Sequence, residues 1–260
     1  MTIAFMTHRG AVRKDNQDAL CLANDVRVGD MESTETMETT SYPILLATVD
    51  GMGGYRGGAL ASRIVAEVLA EASRKVKPFG DTLDVEADER ILHSLLKGAA
   101  RRMKMEARRA PDLYEMGATL SGLLIRRDSA LAFNCGDCRA YRFSGGALER
   151  LSREHSIVQA LFEQGEISED EMSTHPRKNI VTSAISPDLV EDFELHVVGV
   201  SRCAADSFFL CSDGVWEIFD SQGLTHWLSR PFPSAAQDMF DDLMAKHCGD
   251  NISFIWQMGS

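Results

Sequence analysis

The chain of 260 residues contains no apolar run of about 18 residues, the length that a membrane-crossing helix needs. Met1 to Leu20 lacks the apolar core of a signal peptide and carries Arg9, Arg13, Lys14, Asp15 and Asp18 instead, so a cytoplasmic location is expected. Basic charge is in deficit. The 27 Lys and Arg against 39 Asp and Glu leave a net charge of −12, which argues against nucleic acid or an anionic membrane as the main partner. Bound cations would offset part of that charge. No disulfide framework is evident. Cys21, Cys135, Cys138, Cys203, Cys211 and Cys248 read as reduced thiols. Cys135-Gly136-Asp137-Cys138 has C-x-x-C spacing, but no second such pair follows and no helix opens there, so a redox or zinc role is only the alternative. The chain also lacks βαβ alternation, internal repeats and an interdomain linker. This argues against a doubly wound parallel sheet, and one domain over 1–260 is expected.

What is present is a repeated boundary between apolar strand and carboxylate. Ile44 to Val49 is an apolar run that stops at Asp50-Gly51-Met52-Gly53-Gly54. Ser207 to Cys211 stops in the same way at Asp213-Gly214, and Asp250-Asn251 precedes the apolar run Ile252 to Trp256. A carboxylate at the rim of a core needs a cation, a donor or a proton. Asp-Gly is also the commonest hairpin turn, so Asp50-Gly51 alone does not separate turn from site. Three strand-end aspartates are what a cation site between sheets would use, and their hard oxygens suit Mg2+ or Mn2+ better than zinc.

The remaining pattern predicts an α+β chain. Thr2–Thr7 and Ala19–Asn24 read as strands around a polar loop, and Asp30–Ser41 as an exposed loop. Leu60, Ile64, Val65, Val68 and Leu69 mark one helix; Ile91, Leu92, Leu95, Leu96, Ala99 and Met103 mark a second. Arg101 to Arg109 supply positive charge at the second helix's C-terminal end, with substrate recruitment the lesser reading. Pro78–Asp84 reads as the linker between the two. Short strands follow over Ala118–Ile125, Ala130–Cys135, Arg139–Phe143 and Leu148–Leu151, and their tight turns, Gly136-Asp137 among them, predict antiparallel pairing. Helices are expected over His155–Gly165, Leu224–Leu228 and Ala235–His247, with a capping box at Ser168-Glu169-Asp170-Glu171. Strands are expected over Val190–Val198, Ser207–Cys211 and Ile252–Met258. Helices in pairs and strands in runs predict two antiparallel sheets face to face with helices outside.

The ordered set Arg13-x-x-Asn16-Gln17-Asp18, Asp50-Gly51-Met52-Gly53-Gly54, Gly117-Ala118-Thr119, Gly136-Asp137-Cys138-Arg139-Ala140-Tyr141, Glu154-His155-Ser156, Ser212-Asp213-Gly214 and Asp250-Asn251 resembles the metal-dependent protein serine/threonine phosphatases, the type 2C or PPM family, in its bacterial form. The resemblance runs from about Phe5 to Trp256. It implies a four-layer α-β-β-α sandwich with two tightly held Mn2+ or Mg2+ ions, and a third weak one, in the cleft between the sheets. Carried over, Asp50 bridges the two ions, the Gly51 carbonyl ligates one, and Asp213 and Asp250 complete the other. Asp18 holds metal-bound water, Arg13 binds phosphate, and Asp137 with Glu217 serves the third ion. The implied activity is hydrolysis of phosphoserine and phosphothreonine by direct attack of a metal-bridging water. Implied partners are phosphorylated proteins and a cognate Ser/Thr kinase, with the phosphatase itself a monomer. Leu161–Ser186 corresponds to the flap beside the cleft.

Three departures stand out. Met52 replaces a histidine proposed as general acid in some members. Tyr55 stands where bacterial members commonly have histidine, and Ser183 and Ser186 replace a frequent arginine and glycine. The alternative reading is a catalytically weak member that binds phosphoproteins or a kinase as a regulatory module; retention of Asp50, Asp213 and Asp250 argues against it. Cys135, Cys211 and Cys248 each precede a proposed metal aspartate by two residues. In extended backbone that spacing shares a face, which would bring thiols to the cleft; ordinary core burial is the other reading.

Overall fold

The computed structural model describes residues 1–75 and 79–259, apart from the side chains of Tyr55, Lys75, Glu169, Asp170 and Ser173. The Tyr55 side chain, one of the departures above, and Pro78, the start of the expected linker, therefore lie outside what the structure describes.

Twelve strands form two six-stranded sheets among the described residues. In the first, β4 (Glu35–Glu38), β1 (Thr2–His8), β12 (Ile252–Met258), β11 (Ser207–Cys211), β8 (Arg139–Ser144) and β9 (Ala147–Arg150) lie in that order. In the second the order is β10 (His196–Ser201), β7 (Ser129–Cys135), β6 (Gly117–Ile125), β5 (Ile44–Met52), β2 (Ala19–Leu22) and β3 (Asp25–Val28). Every pairing is antiparallel. Helices α1 (Gly54–Lys75) and α2 (Val85–Arg109) cover the second sheet; α5 (Asp213–Trp216), α6 (Ser221–Leu228) and α7 (Ser234–Ala245) cover the first. The short α3 (Ile157–Glu163) leads into the flap and α4 (Glu169–Thr174) lies within it.

Strand alternation sorts the apolar residues into three layers. Ile3 and Phe5 face the opposite sheet, while Ala4 and Met6 face the helices. On β5, Leu45, Ala47 and Val49 pack under α1, and Ile44 and Leu46 pack between the sheets with Leu20, Leu123, Phe208, Leu210 and Ile255. Continuing that period, Thr48 and then Asp50 occupy the inter-sheet face. The inter-sheet layer is therefore apolar at one end and polar at the other, and the polar end opens as the cleft.

The α2 helix starts where Asp84 accepts the Ala87 amide at 3.0 Å. The Ser168 amide donates to Glu171 at 2.8 Å, as the expected capping box requires.

Four local expectations are corrected. Gly136-Asp137 is no hairpin, because β7 and β8 lie in different sheets and the turn carries the chain across the sandwich. Gly136 makes that change of direction at φ +96°. The Asp30–Ser41 loop contains β4, a polar edge strand paired with β1. The strand expected over Ala19–Asn24 stops at Leu22 and pairs with β3, the turn between them passing through Ala23 at φ 56°. The strand placed at Val190–Val198 lies instead at His196–Ser201.

Candidate active site

A cleft of about 420 Å³ opens between the sheets and is lined by Arg13, Asp50, Gly51, Met52, Thr119, Asp137, Asp213 and Asp250 among others. Asp50 is not in a turn, since β5 continues through Gly51 to Met52. Only glycine fits at 51. A Cβ there would lie 2.1 Å from the Gly58 carbonyl oxygen and 2.6 Å from that of Gln17. Asp213 opens α5 directly after β11, and Asp250 ends the turn into β12. Each sheet thus contributes carboxylates: the second gives Asp50, the first gives Asp213 and Asp250, and the turn joining them gives Asp137.

These groups are too close and too dry to be comfortable as anions. Burial, then the charges of Asp18, Asp213, Asp137 and Asp250, push Asp50 well above the usual carboxylate range. Asp213 rises for the same reasons, burial first and then Asp137 and Asp250. Burial and the Glu154 charge lift Asp137 to about 6, against the pull of Thr119 and Arg139. Asp18 also reaches about 6, chiefly through burial. Its Oδ2 accepts from Ser212 Oγ at 3.0 Å, whereas its Oδ1 is buried without a partner. Hard oxygen donors, mutual repulsion and an orphaned carboxylate oxygen fit divalent cations. Among the described residues no three acidic, His or Cys side chains are drawn in to grip an ion as they stand. Arg13 supplies the positive charge instead, its Nη2 2.5 Å from Asp250 Oδ2. That hydrogen bond, with the Asp250, Asp213 and Asp50 charges, holds the guanidinium pKa above its ordinary value despite partial burial.

Arg13, Asp18, Asp50, Gly51, Asp137, Asp213 and Asp250 are thus brought together. Glu217 is not among the lining residues; its Oε1 sits 2.8 Å from Lys178 Nζ and ties α5 to the flap. Lys178 and its neighbours Asn179 and Val181 set the flap against the cleft, and the last two line it. Cys135, Cys211 and Cys248 do not face the cleft. They pack in the helix-facing layers, where burial pushes Cys135 to about 12 and Cys248 to about 11. Cys135 and Cys211 end their strands before the aspartates, and Cys248 lies in the loop between α7 and β12, so the shared-face argument does not apply. Cys138 is the thiol beside the carboxylates, 3.3 Å from Thr119 Oγ1.

The residue whose role sequence reasoning passed over is Asn251. Its Oδ1 accepts the Gln17 amide at 2.8 Å, and its Nδ2 donates to the carbonyls of Arg9 and Asp15 at 3.1 and 3.0 Å. It pins the Arg13 loop beside Asp250. The Asp250-Asn251 pair was the available signal.

Comparison with known proteins agrees with this geometry. The family model described as protein phosphatase 2C matches residues 30–248. The serine/threonine phosphatase Stp of Listeria welshimeri is 30% identical over 83% of this chain and 78% of its own. The Mycobacterium tuberculosis phosphatase PstP superposes with a TM-score of 0.81 at 23% identity, over 100% of each chain. A structure of the PstP catalytic domain in complex with two manganese ions gives 0.77 at 23% identity, over 99% of each chain. PppA, a regulatory component of type VI secretion in Pseudomonas aeruginosa, gives 0.76 at 29% identity, over 99% of this chain and 97% of that one. The chain belongs to the protein phosphatase 2C family and is by class a phosphoprotein phosphatase.

Proposed function

We propose that residues 1–260 act as one monomeric, Mn2+- or Mg2+-dependent protein serine/threonine phosphatase domain that takes phosphorylated proteins as substrates and opposes a Ser/Thr kinase. The observation that carries this reading is the delivery of Asp50, Asp213 and Asp250 from two sheets to one cleft with Arg13 at its mouth. Asp50, the Gly51 carbonyl, Asp213 and Asp250 would hold two ions, and Asp137 a weaker third. When bound, the ions would supply Lewis acidity toward phosphoryl oxygens and lower the pKa of an attacking water.

The chain's own groups do the rest. The Arg13 side chain is about half exposed, and its planar fork can turn from Asp250 to two phosphate oxygens. The unpartnered Asp18 Oδ1 is an acceptor that can orient a water proton. Gly51, with no side chain, lets the Gly58 and Gln17 backbones pack directly behind the strand that carries Asp50. Met52 lines the cleft and carries no proton for the leaving oxygen.

Hydrolysis of p-nitrophenyl phosphate and of a phosphothreonine peptide, with Mn2+ and after chelation, tests the proposal. Turnover should require the ion and fall at least 100-fold in Asp50→Asn with the fold retained. Metal-independent turnover, or an active Asp50→Asn at saturating Mn2+, would contradict it.

A further inference from the structure

Two sequence motifs, Glu154-His155-Ser156 and Arg139-Ala140-Tyr141, have no part in the chemistry above. Both converge on the backbone of the Gly136-Asp137 turn. The Gly136 amide donates to His155 Nδ1 at 3.0 Å, and the His155 amide donates to the Gly136 carbonyl at 2.9 Å. From the other sheet-end element, Trp216 Nε1–H donates to the Asp137 carbonyl at 3.1 Å. The face of that indole carries the Arg139 guanidinium, whose Cζ lies 3.7 Å from the ring centroid. Arg139 Nε donates in turn to Glu154 Oε1 at 2.6 Å, and Glu154 is 3% exposed. Arg150 also reaches Glu154 Oε1, at 3.2 Å, so the buried carboxylate is held by two guanidinium groups.

The indole therefore joins two points that matter to the cleft. Trp216 ends the one-turn α5 that Asp213 begins, and its N–H holds the main chain of Asp137. Left alone, Asp137 would be driven outward by the neighbouring carboxylates. A rigid donor, backed by a stacked and ion-paired arginine, opposes that displacement without touching the carboxylate itself. We propose that Trp216, with Arg139 and Glu154 behind it, is a positioning residue that fixes Asp137 against Asp213 and so sets the affinity of the third, weakly held ion. This rests on the reading that Asp137 takes that ion.

The test is a double-mutant cycle on Trp216→Phe and Asp137→Ala, read by Mn2+ calorimetry and by the Mn2+ concentration that half-activates the enzyme. Phenylalanine keeps a smaller ring for Arg139, exposes no buried charge and removes the N–H that holds the Asp137 carbonyl. Trp216→Phe should weaken the low-affinity Mn2+ phase and raise the half-activating concentration about five- to tenfold. The tight phase should stay unchanged, and the melting temperature should fall by no more than a few degrees for the lost hydrogen bond and ring volume. In the Asp137→Ala background the same substitution should do nothing further. An unchanged weak phase in Trp216→Phe, while Asp137→Ala abolishes it, would overturn the positioning role alone. A weak phase that survives Asp137→Ala would overturn the reading of Asp137 and the proposal with it. Equal weakening of tight and weak phases together with a lower melting temperature would mark Trp216 as merely structural.

Discussion

Asp18→Asn is expected to stabilise the metal-free protein, and more so at alkaline pH. Asp18 is 2% exposed and its pKa rises from 3.8 to about 6, chiefly through burial. The folded chain therefore holds this proton more tightly than the unfolded chain does. Between pH 4 and 6 the unfolded state loses the proton first, so stability falls as pH rises through that window. Above pH 6 the penalty is complete, at about 3 kcal/mol for a shift of roughly two units. At pH 5 about half of it is present. Asparagine mimics the protonated side chain at every pH. Subtracting about 1 kcal/mol for the imperfect fit of its amide beside Ser212, the net gain is about 2 kcal/mol at pH 8 and near zero to about 1 kcal/mol at pH 5. For a domain of this size that is a rise in Tm of about 4–8 °C at pH 8. Thermal melts of both proteins in excess chelator at the two pH values measure it. A gain at pH 5 that equals or exceeds the gain at pH 8, or a loss at pH 8, would refute the reasoning.

Two further outcomes are expected. Arg13→Ala removes a guanidinium that is about half exposed, so the loss sits at the low end for such a contact, about tenfold in KM for phosphopeptide. Inhibition by free phosphate should weaken in parallel while calorimetry still finds the tight ions; unchanged phosphate inhibition would reduce Arg13 to a loop residue. Of the six cysteines only Cys203 is exposed, so a disulfide-exchange reagent should titrate one thiol in the native protein and six after denaturation. Rapid labelling of Cys135, Cys211 or Cys248, identified by mass spectrometry, would contradict their burial.

The layered sandwich was legible because its strands are strongly marked. Ile44 to Val49 is a nearly pure apolar run, Ala118 to Ile125 is mostly apolar, and the Ser144-Gly145-Gly146 turn does make the β8–β9 hairpin. The edges were less legible. Glu35-Thr36-Met37-Glu38 has little to bury, and β1 holds it through backbone hydrogen bonds that leave no mark in side-chain pattern. The Gly136-Asp137 crossover was misread for a different reason. A glycine turn between two strands looks the same whether the second strand pairs with the first or leaves for the opposite sheet, and only the competing partners β10 and β11 decide. Asp50, Asp213 and Asp250 announced themselves as charges bounding apolar runs. Trp216 and Asn251 did not, because each acts through a backbone group that no sequence displays.

The uneven inter-sheet layer described above has a mechanical consequence. Ile3, Phe5, Ile44, Leu46, Leu123, Phe208 and Ile255 grip the two sheets together at one end, while like charges press them apart at the other. The sandwich is built as a clothes-peg, with a greased pivot and repelling jaws. A positive group between the jaws offsets that repulsion, as the Arg13 guanidinium resting on Asp250 does. In metal-poor surroundings the ends of β5 and β11 near Asp50 and Asp213 should therefore exchange amide protons sooner than the opposite ends of the same strands, although both adjoin well-packed core.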